Sequence, residues 1–228
     1  MRLLPIALAL VACTKQVPEP PPLELVTGGA KAEDHLPVIV ALHGLGDRPE
    51  SFAEAFAGFG ARARILVPRG TTPDGRGGYR WFESRTQDGD VARISSELEA
   101  ATESIDRLLV RLNDDGVRPI VTGFSQGGML AFAIAARHPD HVRAAVPIGG
   151  WLPPPLLPAE KIGRTPPIRA LHGTADHVVP FALDQRTCER LRELGFDVEL
   201  TPYAGIDHTV TPEMHRRWLE LLARFAVE

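Results

Sequence analysis

Cysteine is scarce in this sequence, and neither sign of charge is in strong excess. The 228 residues include 2 cysteines, 25 basic residues and 29 acidic residues, which gives a formal net charge of −4. Two cysteines cannot form the disulfide framework of a small secreted scaffold. A buried core must therefore stabilise the fold, and this length is sufficient for one. Without a run of lysine and arginine, nothing favours a nucleic-acid partner.

Long hydrophobic runs are also absent, and the apolar stretch near the N-terminus is short. Residues 3–12 follow Arg2 and are all apolar, but ten residues are too few to span a bilayer and are typical of a signal-peptide core. The stretch ends in LVAC (10–13), which resembles a bacterial lipobox, a signal in which the cysteine, here Cys13, receives a lipid. The alternative is an ordinary secretory signal in which this cysteine is incidental.

These features predict three segments along the chain. Residues 1–12 form a signal peptide, residues 13–35 a lipidated cysteine and Pro-rich tether, and residues 36–228 one globular domain. The tether sequence KQVPEPPPLE favours extended backbone. We therefore expect an exported bacterial lipoprotein on the periplasmic face of a membrane or at the cell surface, attached to the membrane by its lipid anchor only.

Short apolar runs alternate with amphipathic stretches throughout the domain. The runs are rich in Val and Ile, which is typical of strands covered on both faces; they lie at residues 37–44, 63–70, 118–125, 143–150, 167–176 and 197–205. Helical patterns lie between and after them, at residues 49–60, 89–116, 127–140, 184–195 and 212–228. This alternation predicts a single-domain α/β fold with a mainly parallel sheet and helices on both faces.

Ser125 lies where a predicted buried strand meets a predicted buried helix, in the sequence GFSQG (123–127). This is the G-x-S-x-G pattern of a nucleophile elbow, a turn so tight that glycine must flank the serine. The N-terminus of the following helix points at the hydroxyl and would help to hold a developing oxyanion. The alternative is a turn that carries serine without a catalytic role.

A serine nucleophile needs a base, and an acid that orients the base. Asp176 and His208 each follow a later predicted strand, at the sheet edge where open α/β folds bind ligands, and they come in the chain order of α/β-hydrolases. Asp207 is less suitable as the acid because neighbouring side chains rarely turn toward each other. The backbone N–H groups of Leu45 and Gln126 are the predicted oxyanion donors.

The other histidines are interpreted as structural. His43 and His172 each lie in a Leu-His-Gly sequence at a strand end, where backbone groups are the expected partners, and His138, His141 and His215 lie on or beside helices. Their spacing matches no metal motif such as HExxH, so no metal and no other cofactor is expected.

Cys188 is expected to be a half-buried helix residue without a catalytic role.

Two predicted loops, residues 70–90 and 150–167, are too long to be simple connections, and such loops are usually functional. These loops and one motif neighbour supply the candidate substrate-binding residues, which are Tyr79, Trp81, Phe82, Trp151, Leu152 and Val178. The alternative is that these side chains pack onto the core of the domain. If they line a cleft, it is apolar and favours acyl groups.

Four motifs in this order resemble the bacterial carboxylesterase and acyl-protein thioesterase (lysophospholipase-like) family of α/β-hydrolases. They are LHGLGD (42–47), GFSQGG (123–128), GTADHVVP (173–180) and DHTV (207–210), and YRWFE (79–83) resembles the aromatic loop of that family. The resemblance implies a small hydrolase without a large cap domain, with Ser125, Asp176 and His208 as its triad. The chain departs from the family in its Pro-rich segment at 150–167 and in the little sequence before its first LHG strand.

The predicted activity is that of a serine hydrolase that cleaves carboxylic esters or thioesters through an acyl-enzyme, with a small-molecule ester or thioester as the substrate. Three alternatives remain open at this point: a polyester or feruloyl-ester hydrolase, a serine peptidase, and a lipid-anchored binding protein that keeps a hydrolase fold without turnover. The last alternative stays open because fold alone does not establish activity.

Overall fold

The main sheet of the computed structural model, which describes residues 20–160 and 164–227, has seven strands. They are β1 (Leu23–Val26), β2 (Val38–Leu42), β3 (Arg64–Val67), β6 (Ile120–Phe124), β7 (Ala144–Ile148), β8 (Ile168–Gly173) and β9 (Val198–Tyr203). Two further strands, β4 (Thr72–Pro73) and β5 (Tyr79–Arg80), form a small antiparallel pair of their own. The predicted signal peptide and Cys13 lie outside the described residues.

The strand order of the main sheet is β1-β3-β2-β6-β7-β8-β9, and every neighbouring pair except β1 and β3 is parallel. All six predicted strands are present, which confirms the predicted α/β class with a mainly parallel sheet. Because parallel strands end at the same edge, the loops after β2, β6, β8 and β9 meet there. Those loops carry the motifs singled out in the sequence.

Five helices cover the two faces of this sheet: α1 (Pro49–Ala53), α2 (Val91–Asp114), α3 (Gln126–Arg137), α4 (Phe181–Glu193) and α5 (Pro212–Val227). One apolar core lies between the sheet and α2, α3 and α4, and a second lies between the sheet and α1 and α5. Helix α3 is buried along nearly its whole length, in agreement with its apolar sequence. None of the described helices combines the length and the hydrophobicity that a membrane span requires.

The segment predicted as a tether contributes a strand to the domain, which corrects the predicted boundary at residue 36. Strand β1 pairs antiparallel with β3, from Leu23 opposite Val67 to Val26 opposite Arg64. Leu23 and Leu25 pack against the second core. Proline cannot donate to a strand ladder, so pairing begins only after the last proline of the Pro-rich run, at position 22.

The predicted helix over residues 49–60 is much shorter than its pattern suggested. Helix α1 ends at Ala53 and is followed by a single 3₁₀ turn, Glu54–Phe56. Gly58 then adopts a left-handed φ of 77°, which a helix cannot contain. The apolar spacing that indicated a helix is nevertheless used, because Phe52 and Phe56 both pack on Trp218 of α5.

Candidate active site

Ser125 occupies the sharp turn between β6 and α3. Its backbone has φ 57° and ψ −118°, and no other non-glycine residue in the described ranges has a positive φ. The turn is held by a hydrogen bond of 2.9 Å from the Ser125 N–H to the carbonyl oxygen of Ile148 on β7. The hydroxyl is thereby raised at the carboxyl edge of the sheet, directly before the N-terminus of α3.

The glycines around Ser125 are required by close backbone contacts. A Cβ on Gly123 would lie 2.5 Å from the carbonyl oxygen of Leu42, and one on Gly127 would lie 1.9 Å from the same oxygen. A Cβ on Gly128 would lie 2.5 Å from the carbonyl oxygen of Ile148. Any side chain at these positions would push α3 away from β2 and β7, so the glycines allow the helix to begin this close to the sheet.

His208 joins Ser125 to Asp176, although the three residues are far apart in the sequence. Its Nε2 atom lies 2.9 Å from the Ser125 hydroxyl oxygen, and its Nδ1 atom lies 2.6 Å from Oδ2 of Asp176. His208 lies in the loop between β9 and α5, and Asp176 in the loop after β8. The structure therefore brings together the serine, the base and the acid that the sequence analysis selected.

Asp176 is held in place by main-chain donors and stays ionised. Its Oδ1 atom accepts hydrogen bonds from the N–H groups of Val178 and Val179, at 2.9 and 2.7 Å. Burial alone would raise the pKa of this carboxyl, but the hydrogen bonds from His172 and His208 outweigh burial and hold the pKa well below its ordinary range. An ionised acid beside Nδ1 keeps the proton of neutral His208 on that nitrogen and leaves Nε2 free to accept.

Asp207, the weaker candidate for the acid, has a different task. Its Oδ1 atom accepts from the N–H groups of His177 and His208, at 3.1 and 2.7 Å. These two hydrogen bonds lower the pKa of the Asp207 carboxyl. Asp207 therefore ties the loop of the acid to the loop of the base.

The predicted oxyanion donors lie next to the serine. Gln126 is the first residue of α3 and Leu45 lies in the loop after β2, and both line the cavity that contains Ser125. Among the described residues, neither main-chain N–H has a hydrogen-bond partner. The Gln126 side chain is bonded at both ends, since its Oε1 accepts from the main-chain N–H of Trp81 at 3.0 Å and its Nε2 donates to the Phe82 carbonyl at 2.9 Å. This second role of Gln126 was not predicted.

A cavity of about 160 Å³ opens beside Ser125. Two candidate substrate-binding residues line it, Phe82 and Val178, together with Ser125 and the predicted oxyanion donors Leu45 and Gln126. The sequence analysis did not select the rest of the lining, which is Ser84, Arg85, Thr86, Gln87, Met129 and Val179. Four of these lie in the 70–90 loop that was identified as functional by its length, but no local pattern distinguished them from its other polar residues.

Four candidate substrate-binding residues lie outside this lining, and their role in substrate binding stays a prediction. Trp81 is buried against the loop after β2 and donates its indole N–H to the His43 carbonyl at 2.8 Å. Trp151 donates its indole N–H to the Thr86 hydroxyl at 3.1 Å. Leu152 is buried in the first core. Tyr79 belongs to the small sheet, where the guanidinium of Arg69 lies over its ring. The packing onto the domain that the alternative describes is therefore present for both tryptophans and for Leu152.

His43 and His172 are fully buried at the ends of β2 and β8. His43 has backbone partners, as predicted: its Nδ1 contacts the Gly44 carbonyl at 2.7 Å and its Nε2 accepts from the Gly70 N–H at 3.0 Å. His172 was also predicted to bond to backbone, but it additionally contacts two carboxylates, those of Asp176 and Asp184. That contact with the triad was not anticipated.

Within residues 20–160 and 164–227, one group of side chains has the composition and spacing of a possible metal site. Asp106, His138 and His141 bring ligand atoms within 4.8 Å of one another. The Asp106 carboxylate already contacts His141 Nδ1 at 2.6 Å and His138 Nδ1 at 3.4 Å, so these contacts tie the end of α3 to α2. Cys188 is fully buried on α4 and not half-buried as expected, and burial raises the pKa of its thiol, in agreement with a structural role.

The fold and this site define the class of protein. A mainly parallel sheet that presents Ser125 on a strained strand-to-helix turn, with Asp176 and His208 after later strands, is an α/β-hydrolase. The chain belongs to the family described as Phospholipase/Carboxylesterase, whose model matches residues 27–224. That match begins before β2 and ends within α5, so it covers nearly all of the described domain.

Curated proteins agree with this family assignment, and a solved structure shares the fold. The chain is 24% identical to acyl-protein thioesterase 1 of Gibberella zeae over 205 residues, which are 80% of this chain and 87% of that protein. It is 33% identical to a probable carboxylesterase of Oryza sativa subsp. japonica over 139 residues, 57% of this chain and 59% of that protein. Esterase PE8 superposes with a TM-score of 0.78 at 24% identity, covering 90% of this chain and 98% of that chain. The structural likeness shows a common fold.

Proposed function

We propose that this protein is a serine hydrolase that cleaves carboxylic esters and thioesters through an acyl-enzyme, with Ser125, His208 and Asp176 as its triad. The observation that carries the proposal is the pair of contacts made by His208, at 2.9 Å to the Ser125 hydroxyl and 2.6 Å to the Asp176 carboxylate. Membership of the Phospholipase/Carboxylesterase family supports it.

The reaction follows from the positions of these groups. Ser125 Oγ attacks the acyl carbonyl carbon while His208 Nε2 takes the hydroxyl proton, and Asp176 stabilises the imidazolium that forms. The N–H groups of Leu45 and Gln126 donate to the tetrahedral oxyanion. His208 then gives its proton to the leaving oxygen or sulfur, and the bond to the acyl carbon breaks. A water molecule, deprotonated by His208, finally attacks the acyl carbon. The bond between that carbon and Ser125 Oγ then breaks, His208 returns the proton to Oγ, and the acid is released.

The cavity beside Ser125 is proposed to bind the acyl chain. Its apolar walls come from Leu45, Phe82, Met129, Val178 and Val179. If a methylene occupies about the volume of a water molecule, roughly 30 Å³, a cavity of about 160 Å³ holds some five carbons. Each buried methylene contributes about 0.8 kcal/mol, or roughly a fourfold gain in kcat/KM.

A panel of p-nitrophenyl esters from acetyl to dodecanoyl tests both the activity and this pocket. We expect kcat/KM to rise from acetyl to about hexanoyl and to level off for longer chains, and peptide amides to be cleaved poorly. Val178→Ala should weaken the preference for longer chains. Val110→Ala is the matched control, because Val110 and Val178 are equally exposed, at 38% and 39%, and Val110 lies on α2, outside the lining. Equal rates for acetyl and hexanoyl esters would contradict the acyl-pocket assignment.

A binding protein with a hydrolase fold is the competing candidate from another class. A fluorophosphonate probe separates the two, because it forms a covalent bond only with an activated serine. We expect labelling of the wild type and none of Ser125→Ala. A wild type that is neither labelled nor active on any ester or thioester would leave the binding protein as the better description.

We propose in addition that the protein is an exported bacterial lipoprotein, with the lipid on Cys13. The support is the sequence alone: Arg2, an apolar run of ten residues and LVAC directly before a Pro-rich segment. In a membrane fractionation, the wild type should sediment with membranes, and Cys13→Ser should not acquire the lipid and should retain the specific activity of the soluble domain. An unlipidated wild type cleaved after residue 13 would rule out the lipobox.

A further inference from the structure

His172 extends the triad into the interior of the protein. It is fully buried at the end of β8, and its Nδ1 atom lies 2.7 Å from Oδ2 of Asp184 on α4. Its Nε2 atom faces two acceptors, the Val179 carbonyl oxygen at 2.9 Å and Oδ2 of Asp176 at 3.2 Å. Oδ2 of Asp176 is also the oxygen that His208 contacts. An unbroken chain of contacts therefore runs from Asp184 through His172, Asp176 and His208 to Ser125.

The direction of these hydrogen bonds follows from the chemistry of the partners. A backbone carbonyl oxygen can only accept, so His172 Nε2 must carry a proton, and that N–H is shared between Val179 and Asp176. His172 is thus a fixed donor to the triad carboxylate. With His208 and the two main-chain donors of residues 178 and 179, four N–H groups surround the two oxygens of Asp176, and its orientation is fully determined.

The charge of His172 is consistent with this arrangement. Burial alone would lower the pKa of this imidazole, but its hydrogen bonds with Asp176 and Asp184 outweigh burial and raise the pKa to about 9. Two other groups on α4 act on Asp184: the Cys188 thiol donates to its Oδ1 at 3.2 Å, and Arg192 attracts its charge. From the same helix, the Phe181 ring meets His172 edge-on. The cation is therefore enclosed between two carboxylates and an aromatic edge.

We propose that His172 and Asp184 are positioning residues of the active site, which hold Asp176 in the orientation that bonds His208. This inference rests on the proposed serine hydrolase function. It assigns to the GTADHVVP loop a second, buried anchor that reaches back to β8 and α4. Neither residue touches the reacting atoms, so the effect is expected on turnover and not on substrate affinity.

Two substitutions of His172 separate positioning from simple structural support. The amide nitrogen of glutamine reaches the place of imidazole Nε2, whereas that of asparagine reaches only the place of Nδ1. We expect His172→Asn to lower kcat about 10²-fold with KM little changed, because a misplaced catalytic group costs about that much. His172→Gln should recover most of this loss. Equal losses in both variants would show a structural role only and would overturn the proposal, as would kcat within about threefold of wild type in His172→Asn.

Asp184→Asn and Thr187→Val provide a second comparison on α4. Asp184→Asn keeps the shape of the side chain but removes the carboxylate that stabilises the His172 cation. Thr187 is as deeply buried and bonds to Leu152 and Leu183, not to the triad chain. The melting temperatures of the two variants show how much stability each has lost. At a temperature where both remain folded, kcat should fall only in Asp184→Asn. A fall of the same size in Thr187→Val would overturn the proposal, because packing of α4 would then explain it.

Proton NMR tests the position of the Asp176 carboxylate without any measurement of turnover. The Nδ1–H of His208 should give a downfield signal in the wild type, because it is bonded to the Asp176 carboxylate, and His172→Asn should lose it. Persistence of that signal in His172→Asn would overturn the positioning role even in a protein that cleaves no ester. A different outcome is a wild type that is inactive toward esters and the fluorophosphonate probe, with the signal lost in His172→Asn. That outcome would contradict the proposed function and support the positioning role.

Discussion

At the scale of single residues, the main feature is strain concentrated at Ser125. A non-glycine residue whose backbone has φ 57° and ψ −118° destabilises the fold by about 1–3 kcal/mol, and this conformation persists only where the surrounding structure imposes it. Here the Ile148 carbonyl oxygen accepts a hydrogen bond from the Ser125 N–H, and the Leu42 carbonyl oxygen packs closely against the flanking glycines. The strain presents the hydroxyl to His208 and directs the start of α3 at it.

Two substitutions of Ser125 should separate chemistry from strain. Ser125→Ala should fold and lose activity by about 10³-fold or more, as removal of a nucleophile does. Ser125→Gly should be equally inactive but more stable than Ser125→Ala, because only glycine adopts this φ without a penalty. Ester hydrolysis and urea unfolding of the two variants check both parts. Activity of either variant within tenfold of wild type, or a less stable glycine variant, would contradict this account.

The identity of the triad residues was accessible from the sequence, whereas the substrate pocket was not. Chain order and strand ends were enough to select Asp176 and His208 among the alternatives. Trp81 and Trp151 were ambiguous because an indole ring suits both a cleft and a core. Their positions depend on where the indole N–H finds an acceptor, and those acceptors, the His43 carbonyl and the Thr86 hydroxyl, become neighbours only in the folded chain.

At the scale of elements, the approach of α3 to the sheet determines whether the site can form. The helix begins so close to β2 that a Cβ on Gly127 would lie 1.9 Å from the Leu42 carbonyl oxygen. Gly127→Ala should therefore destabilise the protein by roughly 2–3 kcal/mol or more and abolish activity. Gly60→Ala is the matched control: no atom lies within 4 Å of a Cβ there, so stability should be unchanged or higher by up to about 1 kcal/mol. Comparable stability of the two variants by urea unfolding would be inconsistent with this packing.

Strand β1 shows where the sequence pattern was insufficient. Leu23–Val26 is short and follows a Pro-rich run, so composition indicated a tether. Its pairing is instead decided by β3, whose outer edge would otherwise present unpaired backbone groups. An interaction with a strand about 40 residues away leaves no local signal in the sequence. The helix predicted at α1 was too long for the same reason. Contact with Trp218 of α5, and not helix periodicity, fixes the positions of Phe52 and Phe56.

A chain that begins at residue 36 should consequently be impaired relative to one that begins at residue 20. Both lack the N-terminal segment, but only the first lacks β1, and it exposes the edge of β3 as well as the apolar surface beneath Leu23 and Leu25. We expect its free energy of unfolding to be lower by roughly 1–3 kcal/mol and its tendency to aggregate to be higher. Urea unfolding and light scattering measure the two effects. Equal stability and solubility would restore the boundary predicted from the sequence.

At the scale of the whole molecule, the apolar cores on the two faces of the sheet support a line of buried charge at its carboxyl edge. The charged groups are the carboxylates of Asp184 and Asp176, and the imidazolium of His172 lies between them in contact with both. A buried charge without a partner is costly, so a change in these protonation states should lower the free energy of unfolding. Catalytic geometry and global stability therefore depend on the same side chains.

This dependence predicts a fall in stability at alkaline pH. The pKa of His172 is about 9 in the folded protein and 6.5 ordinarily, so between these values the folded protein holds a proton that the unfolded chain has lost. The stabilisation is fully present below pH 6.5 and disappears as the pH rises through 9, a change of roughly 3 kcal/mol at most. Urea unfolding at intervals from pH 6 to 9 should show this decline.

Two variants identify the group responsible for that decline. Asp184→Asn should be less stable at pH 6 and should show a flatter pH dependence, because His172 then loses the partner that raises its pKa. Cys188→Ala should keep the decline below pH 9, since burial keeps the Cys188 thiol protonated and its contribution begins only near the ordinary thiol pKa of 9.0. A wild-type free energy of unfolding that does not change between pH 6.5 and 9 would mean that His172 is neutral in the folded protein. The triad carboxylate would then have no buried cation behind it.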